Sequence, residues 1–402
     1  MNRSTPRRSP PVATQDILRN LLFGTPFLNE VDGEIPLGDD MIRVCVKEDI
    51  APITYYLLKK KRLAQQWPPD ITEALARLFE MNLVFNLTLR NELQAVLRDF
   101  NRRGLSHLLL KGIALAEYYY PSLSMRRMTD VDLLVHKEEL PLVDACLRER
   151  GYRPLDSDAS SVRDAPEGYL ASLEYHRREG LPPLHIHWRL VNTSVPAYMF
   201  SPFQSMERLW ERSVPVSLDD VTTRMLCPEH LLLHLCEHAL RINHSFDRLI
   251  LAYDIVLVIE KTKDRLDWSA VLAEARDSRL TTFLYCGLAV VDHYAADRVP
   301  ASVLERLRPP RPSLGLRLFL ALQLRGSRLR GSSYLLYLCQ NQGIVAKTRF
   351  VLRTFLPPAA IARQRLREER PSNLLNLWIR RFWEILHHLI LTVLRLFRIK
   401  NP

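Results

Sequence analysis

The chain has 402 residues, 47% of them hydrophobic, with 56 Lys/Arg against 45 Asp/Glu and a formal net charge of +11. That length leaves room for two or three domains, and that apolar fraction excludes a largely disordered chain. The charge is uneven: residues 301–402 hold 19 Lys/Arg against four Glu and no Asp, while the first 300 residues are net −4, so the basic character belongs to the C-terminal quarter.

Residues 1–40 contain Pro6, Pro10, Pro11, Pro26 and Pro36 with little periodicity and predict a flexible or loosely docked N-terminal arm. Met1 to Asn20 is basic but has no apolar h-region, which argues against a signal peptide. Six cysteines without a CxxC pair or disulfide-like spacing point to reduced thiols and the cytoplasm. No uninterrupted run of about 18 apolar residues occurs, against an ordinary transmembrane helix.

A helical N-terminal region is expected over 41–104. There Leu75, Leu78, Phe79, Leu83, Leu87, Leu89, Leu93, Val96 and Leu97 recur with helical period, as one long helix or a pair. The interval 105–192 reads as a compact core. It has a strand at 106–110, a turn at Lys111-Gly112, a short helix 113–119, a strand 129–135, and a helix 137–150 stopped by Gly151. Two further strand-like pieces, 170–176 and 184–190, predict a hairpin. A helical domain is expected over 193–308 and, past Pro309-Pro310-Arg311-Pro312, a basic helical region over 309–402, broken at Pro357-Pro358 and Pro371.

The chemistry concentrates in Met125-Arg126-Arg127-Met128-Thr129-Asp130-Val131-Asp132-Leu133-Leu134-Val135. Alternation puts Asp130 and Asp132 on one face of a strand. Two bare carboxylates on a buried strand are costly unless something positive sits between them. Mg²⁺ is commonly held by one or two carboxylates, with substrate phosphates and waters completing its shell. Nucleotidyl and phosphoryl transfers depend on positioning and charge neutralisation, for which Lys111 and Arg126 would serve the leaving pyrophosphate. Gly112 would permit close backbone approach to an anion at a helix N-terminus. The competing reading makes Asp130 a turn cap, Asp132 a solvated edge residue and Lys111 an ordinary surface lysine.

The segments Leu-Leu-Lys-Gly, Arg-x-Met-Thr-Asp-Val-Asp-Leu-Leu-Val, His-Ile-His-Trp-Arg-Leu and Cys-Pro-Glu-His-Leu-Leu-Leu-His-Leu-Cys-Glu-His resemble an uncharacterised nucleotidyltransferase family of bacterial secondary-metabolite and exopolysaccharide gene clusters. The resemblance covers about 105–260 and, more loosely, 345–395. It implies an α+β fold, with a small mixed-sheet nucleotidyltransferase core, flanking helices and a C-terminal helical domain. It further implies that Asp130 and Asp132 bind Mg²⁺ or Mn²⁺ and that Lys111, Gly112 and Arg126 face the NTP. His238 and Asp254 match recurrent family positions and become candidate nucleotide contacts, Asp254 alternatively a bridge between helices.

One departure matters. The family tends to carry a third carboxylate two residues before the His of a His-Trp pair, and here that position is His185, in Leu184-His185-Ile186-His187-Trp188. An imidazole can ligate a metal but supplies no negative charge. The site is then one charge lighter, or completed by another acid such as Glu174, or catalytically weakened. His185 is read as a ligand or phosphate contact and His187 as a supporting residue.

His230, His234 and His238 fall at i, i+4 and i+8 on one helical face, a polar seam or packing histidines rather than a zinc site, since neither HExxH nor matching Cys or Asp spacing accompanies them. The stretch 374–398 mixes a broad apolar face with bordering Arg and Trp. That suits either a helix in a membrane interface or a terminal helix packed on the body. Nucleic acid is disfavoured, because the arginines are interleaved with long aliphatic runs.

The reading is a cytoplasmic Mg²⁺-dependent nucleotidyltransferase acting from an NTP onto a hydroxyl of a small-molecule, carbohydrate or peptide acceptor, with its tail either packed on the body or lying on the inner face of the membrane. The rivals are a non-catalytic nucleotide-binding scaffold on a membrane-associated biosynthetic complex and a phosphotransferase using the same residues.

Overall fold

The computed structural model describes residues 14–24, 40–154, 172–177, 181–190, 206–241, 244–324, 331–340, 343–356, 373, 375–383, 385–387 and 390. The fold is α+β: helices surround one seven-stranded mixed sheet. Its strands are β1 (Leu108–Leu109), β2 (Val131–Leu134), β3 (Arg153–Pro154), β4 (Ser172–His176), β5 (Leu184–His187), β6 (Val214–Leu218) and β7 (Val221–Met225), in spatial order β3-β4-β5-β2-β1-β7-β6. β2 runs parallel to β5 and antiparallel to β1, and β1 runs parallel to β7.

The hairpin β6–β7 carries the sheet past residue 192, where the core was expected to end. Its turn at Asp219-Asp220 is tied to the long helix: Arg90 clamps the Asp219 carboxylate at 2.7 and 2.8 Å, and Arg98 reaches Asp220 at 2.7 Å.

The N-terminal helices are α1 (Thr14–Phe23), α2 (Met41–Lys47), α3 (Ala51–Lys60) and α4 (Pro69–Arg102). Within the expected arm α1 is docked: it buries Ile17, Leu18, Leu21, Leu22 and Phe23, with Phe23 stacked on Tyr294 at 5.8 Å. The rest of 1–40, apart from Gly24 and Asp40, lies outside the described residues. α4 is one uninterrupted helix, started by proline at its first turn. Its ends bury Leu75, Leu89, Leu93, Val96, Leu97 and Phe100, but Leu87, counted in the apolar stripe, faces outward. The middle buries Asn82 and Asn86 instead. Asn82 donates to Ser124 O at 2.7 Å, and Asn86 to Leu123 O at 2.6 Å and Arg126 O at 2.9 Å. These amides satisfy the carbonyls of the loop leading into β2, and so place the strand that carries the aspartates.

The following helices are α5 (Lys111–Tyr118), α6 (Leu140–Glu149), α7 (Met206–Glu211), α8 (Pro228–Ala239), α9 (Leu249–Thr262), α10 (Trp268–Asp277) and α11 (Thr281–Tyr294). α5 begins at Lys111, so Lys111-Gly112 is the first turn of the helix rather than a turn ahead of it. α8 is buried along its whole length between its neighbours. The approach is close: a Cβ on Gly287 of α11 would lie 2.8 Å from Cys236 Sγ.

Beyond residue 300 come α12 (Ala301–Leu307), α13 (Leu314–Leu324), α14 (Tyr334–Gln340) and α15 (Ile344–Phe355), whose Leu316, Phe319, Tyr337 and Phe350 join the same core. The helix breaks expected at Pro357-Pro358 and Pro371 lie outside the described residues.

Candidate active site

Strand pairing builds the site. Asp132 stands opposite His185 across the parallel β2–β5 ladder, and Glu174 opposite His185 across the antiparallel β4–β5 ladder. Directly paired residues share a face, so acid, imidazole and acid lie in a row across three strands. His185 Nδ1 sits 3.5 Å from Asp130 Oδ2 and 3.7 Å from Asp132 Oδ1, which places both aspartates on that face. Glu174 Oε2 approaches the other ring nitrogen of His185 at 3.1 Å. Glu174 thus meets Asp130 and Asp132 only through the imidazole.

Asp132 is 1% exposed and Asp130 more open, its side chain 28% exposed. Asp132 is therefore no solvated edge residue. An isolated buried carboxylate is destabilising by several kcal/mol, and its partners show what offsets this. Lys111 Nζ lies 3.0 Å from Oδ2, and His187 Nε2 lies 2.8 Å from Oδ1. Burial pushes the Asp132 carboxyl up, but Lys111, His185 and His187 together outweigh it and hold it well below the usual range. Burial drives His187 down, so its neutral ring donates Nε2–H to the acceptor-only carboxylate.

His185 behaves oppositely. Burial works against its charged form, but Asp132 and Glu174 prevail and push it up to about 10. Glu174 is lowered to about 2, chiefly by that imidazole, against its own burial.

Lys111 also lies 3.0 Å from His238 Nε2 on α8. An ammonium only donates, so His238 accepts through that nitrogen. Burial, then Lys111, keeps His238 far below the ordinary histidine value. Its ring lies 4.4 Å from that of His244, which adjoins Arg248. His238 is the member of the histidine triplet that reaches the aspartates through Lys111. His234 is buried beside it and His230 faces Glu274 at 3.5 Å. Among the described residues these three form no metal-ligand group.

Arg126 and Asp254 are brought together, but with each other. Arg126 Nε and one Nη donate to the two carboxylate oxygens at 3.0 and 2.8 Å, and Tyr120 donates its hydroxyl to Asp254 at 2.7 Å. The set bridges α9 to the loop before β2. Gly112 packs beneath it: a Cβ there would lie 3.4 Å from an Arg126 Nη. Arg127 is half exposed and pairs with Asp49, which also holds Arg248.

Sequence reading missed the Lys111 link to both Asp132 and His238, and the buried Glu237–Arg241 pair on the same helix end at 2.8 Å. The latter carries a signal that could have found it, a Glu four residues before an Arg.

The donor set suits a divalent cation. Ligand atoms of Asp132, His185 and His187 all lie within 4.8 Å of one another, with Asp130 beside them. Two acidic groups and imidazole nitrogen are chemically competent ligands for such an ion.

A family model described as an uncharacterised nucleotidyltransferase matches residues 38–296, well over half of the chain. No curated protein matches it. Among solved structures, an antigenic nucleotidyltransferase-like protein from Paracoccidioides brasiliensis aligns at 13% identity and a TM-score of 0.27, over 49% of this chain and 91% of that one.

Proposed function

The chain belongs to the uncharacterised nucleotidyltransferase family, and from that membership and the Asp130/Asp132 face we propose a metal-dependent enzyme that moves a nucleotidyl group from an NTP to a hydroxyl of a small-molecule, carbohydrate or peptide acceptor. The observation that carries this reading is Asp132: a fully buried carboxylate kept ionised by Lys111 and two histidines, on one strand face with the more open Asp130. Asp130 and Asp132 would hold the ion, with His185 beside them. A divalent ion there supplies neutralisation of the triphosphate and acidification of the attacking hydroxyl.

The chain's own groups orient and hold charge. Lys111 fixes the Asp132 carboxylate and presents an ammonium beside it, while His238 holds Lys111 from behind. Lys111 and Gly112 form the first turn of α5, where backbone N–H groups have no intrahelical partner and favour an anion. His187 fixes the second oxygen of Asp132. Arg126 and Asp254 act at one remove, by locking the loop into β2.

The same residues would serve phosphoryl transfer, so product mass decides between the two. Asp130→Asn and Asp132→Asn should each lower transfer of an α-labelled nucleotide into metabolite extracts by about a hundredfold or more, with circular dichroism unchanged. Wild-type turnover in both variants would defeat the enzyme reading. Nucleotide binding that persists without any transfer by the wild-type chain would favour the scaffold.

The tail reading favours contact with an anionic lipid surface. α15 exposes Ile344, Val345 and Leu352 next to Lys347, Arg349 and Arg353. The helical residues 375–383 expose Leu375, Ile379, Phe382 and Trp383 while docking through Leu377 and Arg381. No helix among the described residues is long and apolar enough to cross a membrane.

A further inference from the structure

We infer that the metal site of this chain is nitrogen-ligated and selects a transition-type divalent ion such as Mn²⁺ over Mg²⁺, with His185 Nδ1 as the ligand that decides. The inference rests on the reading of Asp130 and Asp132 as metal ligands and goes further in naming which ion they serve.

Three observations carry it. First, His185 Nδ1 is 3.5 Å from one aspartate and 3.7 Å from the other, so an ion touching both carboxylates meets that nitrogen next. Second, Glu174 Oε2 lies 3.1 Å from Nε2 on the far side of the ring. An ion arriving at Nδ1 displaces the proton there, while Nε2–H stays on the side of the Glu174 carboxylate, the arrangement that orients metal-bound histidines generally. Third, register sets the face: Asp132, His185 and Glu174 are direct partners on adjacent strands, so the imidazole is rooted on the same sheet face between the two acids.

Mg²⁺ takes oxygen ligands and keeps its waters, whereas first-row transition ions, Mn²⁺ the weakest of them, gain more than Mg²⁺ does from an imidazole nitrogen. Replacing an acid by histidine removes a negative charge, which weakens a hard ion most, and adds a nitrogen, which favours a softer one. His187 does not compete for this role, since its Nε2 is spent on Asp132 Oδ1 at 2.8 Å.

The test uses the full-length protein loaded with Mn²⁺ and read by pulsed electron paramagnetic resonance, with Mg²⁺ as competitor. The wild-type chain should show modulation from a directly bound ¹⁴N, and Mg²⁺ should displace Mn²⁺ poorly. His185→Asp should lose the nitrogen signal and improve Mg²⁺ competition by about tenfold or more. His185→Gln, neutral in a site already rich in acids, should also lose the signal and guards against misfolding of the first variant. Glu174→Gln should weaken Mn²⁺ by about tenfold while keeping the nitrogen coupling. Bound Mn²⁺ without ¹⁴N modulation, or modulation that survives both His185 variants, overturns the inference and leaves the enzyme reading standing. If neither ion binds with or without ATP, both fail.

Discussion

At the residue scale, Arg126 is where the sequence and the structure diverge most. Sequence placed it against the pyrophosphate. In the structure its guanidinium grips Asp254, with side chains only 12% and 2% exposed. Removing one partner of such a pair leaves a buried uncompensated charge, at a cost of about 3 kcal/mol. Arg126→Met should therefore lower stability by about that much in urea unfolding, and Arg126→Met combined with Asp254→Leu should recover a large part of it. A single variant of wild-type stability with a raised KM for NTP would return Arg126 to the phosphates. Asp130, Asp132 and His185 were legible because a strand has period two, so spacing alone assigns faces. The partners of Lys111 and Arg126 were not: His238 and Asp254 lie 127 and 128 positions away, and only the packing of α8 and α9 brings them in.

At the element scale, the aspartate face depends on helices packed behind it. α8 carries His238 to Lys111, and its distance from α11 is set where Gly287 meets Cys236. A methyl at Gly287 would sit 2.8 Å from the Cys236 sulfur and 2.9 Å from its Cβ, so the helices must part. Overpacking of this kind typically costs about 1–3 kcal/mol. Gly287→Ala should lower the melting temperature accordingly and raise KM for NTP, as His238 withdraws from Lys111. An unchanged melt would mean that α11 yields freely at this point. The elements found from sequence were those with strong period, namely α4, β2 and the β4–β5 pair. What escaped was membership: the Val214–Met225 hairpin alternates clearly, yet nothing local says that β7 pairs with β1, 116 residues earlier in register. The asparagines in the middle of α4 interrupt its apolar stripe for a tertiary reason, the carbonyls of a loop about 40 residues on.

At the scale of the whole molecule, charge and apolar exposure coincide. The body up to residue 300 is slightly acidic, and the last 102 residues carry the entire positive excess. On that same region the exposed large apolar side chains cluster: Ile344, Val345, Leu352, Leu375, Ile379, Phe382 and Trp383. Phe355 and Phe382 lie 5.7 Å apart, so α15 and the following helical residues present their apolar groups from neighbouring elements. A partner protein core would bury apolar groups without needing a strongly basic stretch of sequence around them; an anionic bilayer uses both, each basic residue near its surface contributing about 1 kcal/mol. The chain should therefore sediment with vesicles containing phosphatidylglycerol and not with neutral phosphatidylcholine vesicles, and added salt should release it. Trp383 emission should shift to the blue on binding. Phe382→Ser with Trp383→Ser should weaken binding by about tenfold or more, since two large apolar groups no longer leave water. The Asp132→Asn variant should bind vesicles normally, because Asp132 is buried on β2 and not on those exposed helices. Equal binding to neutral and anionic vesicles would remove charge from the account, and binding to neither would assign the exposed face to something other than lipid.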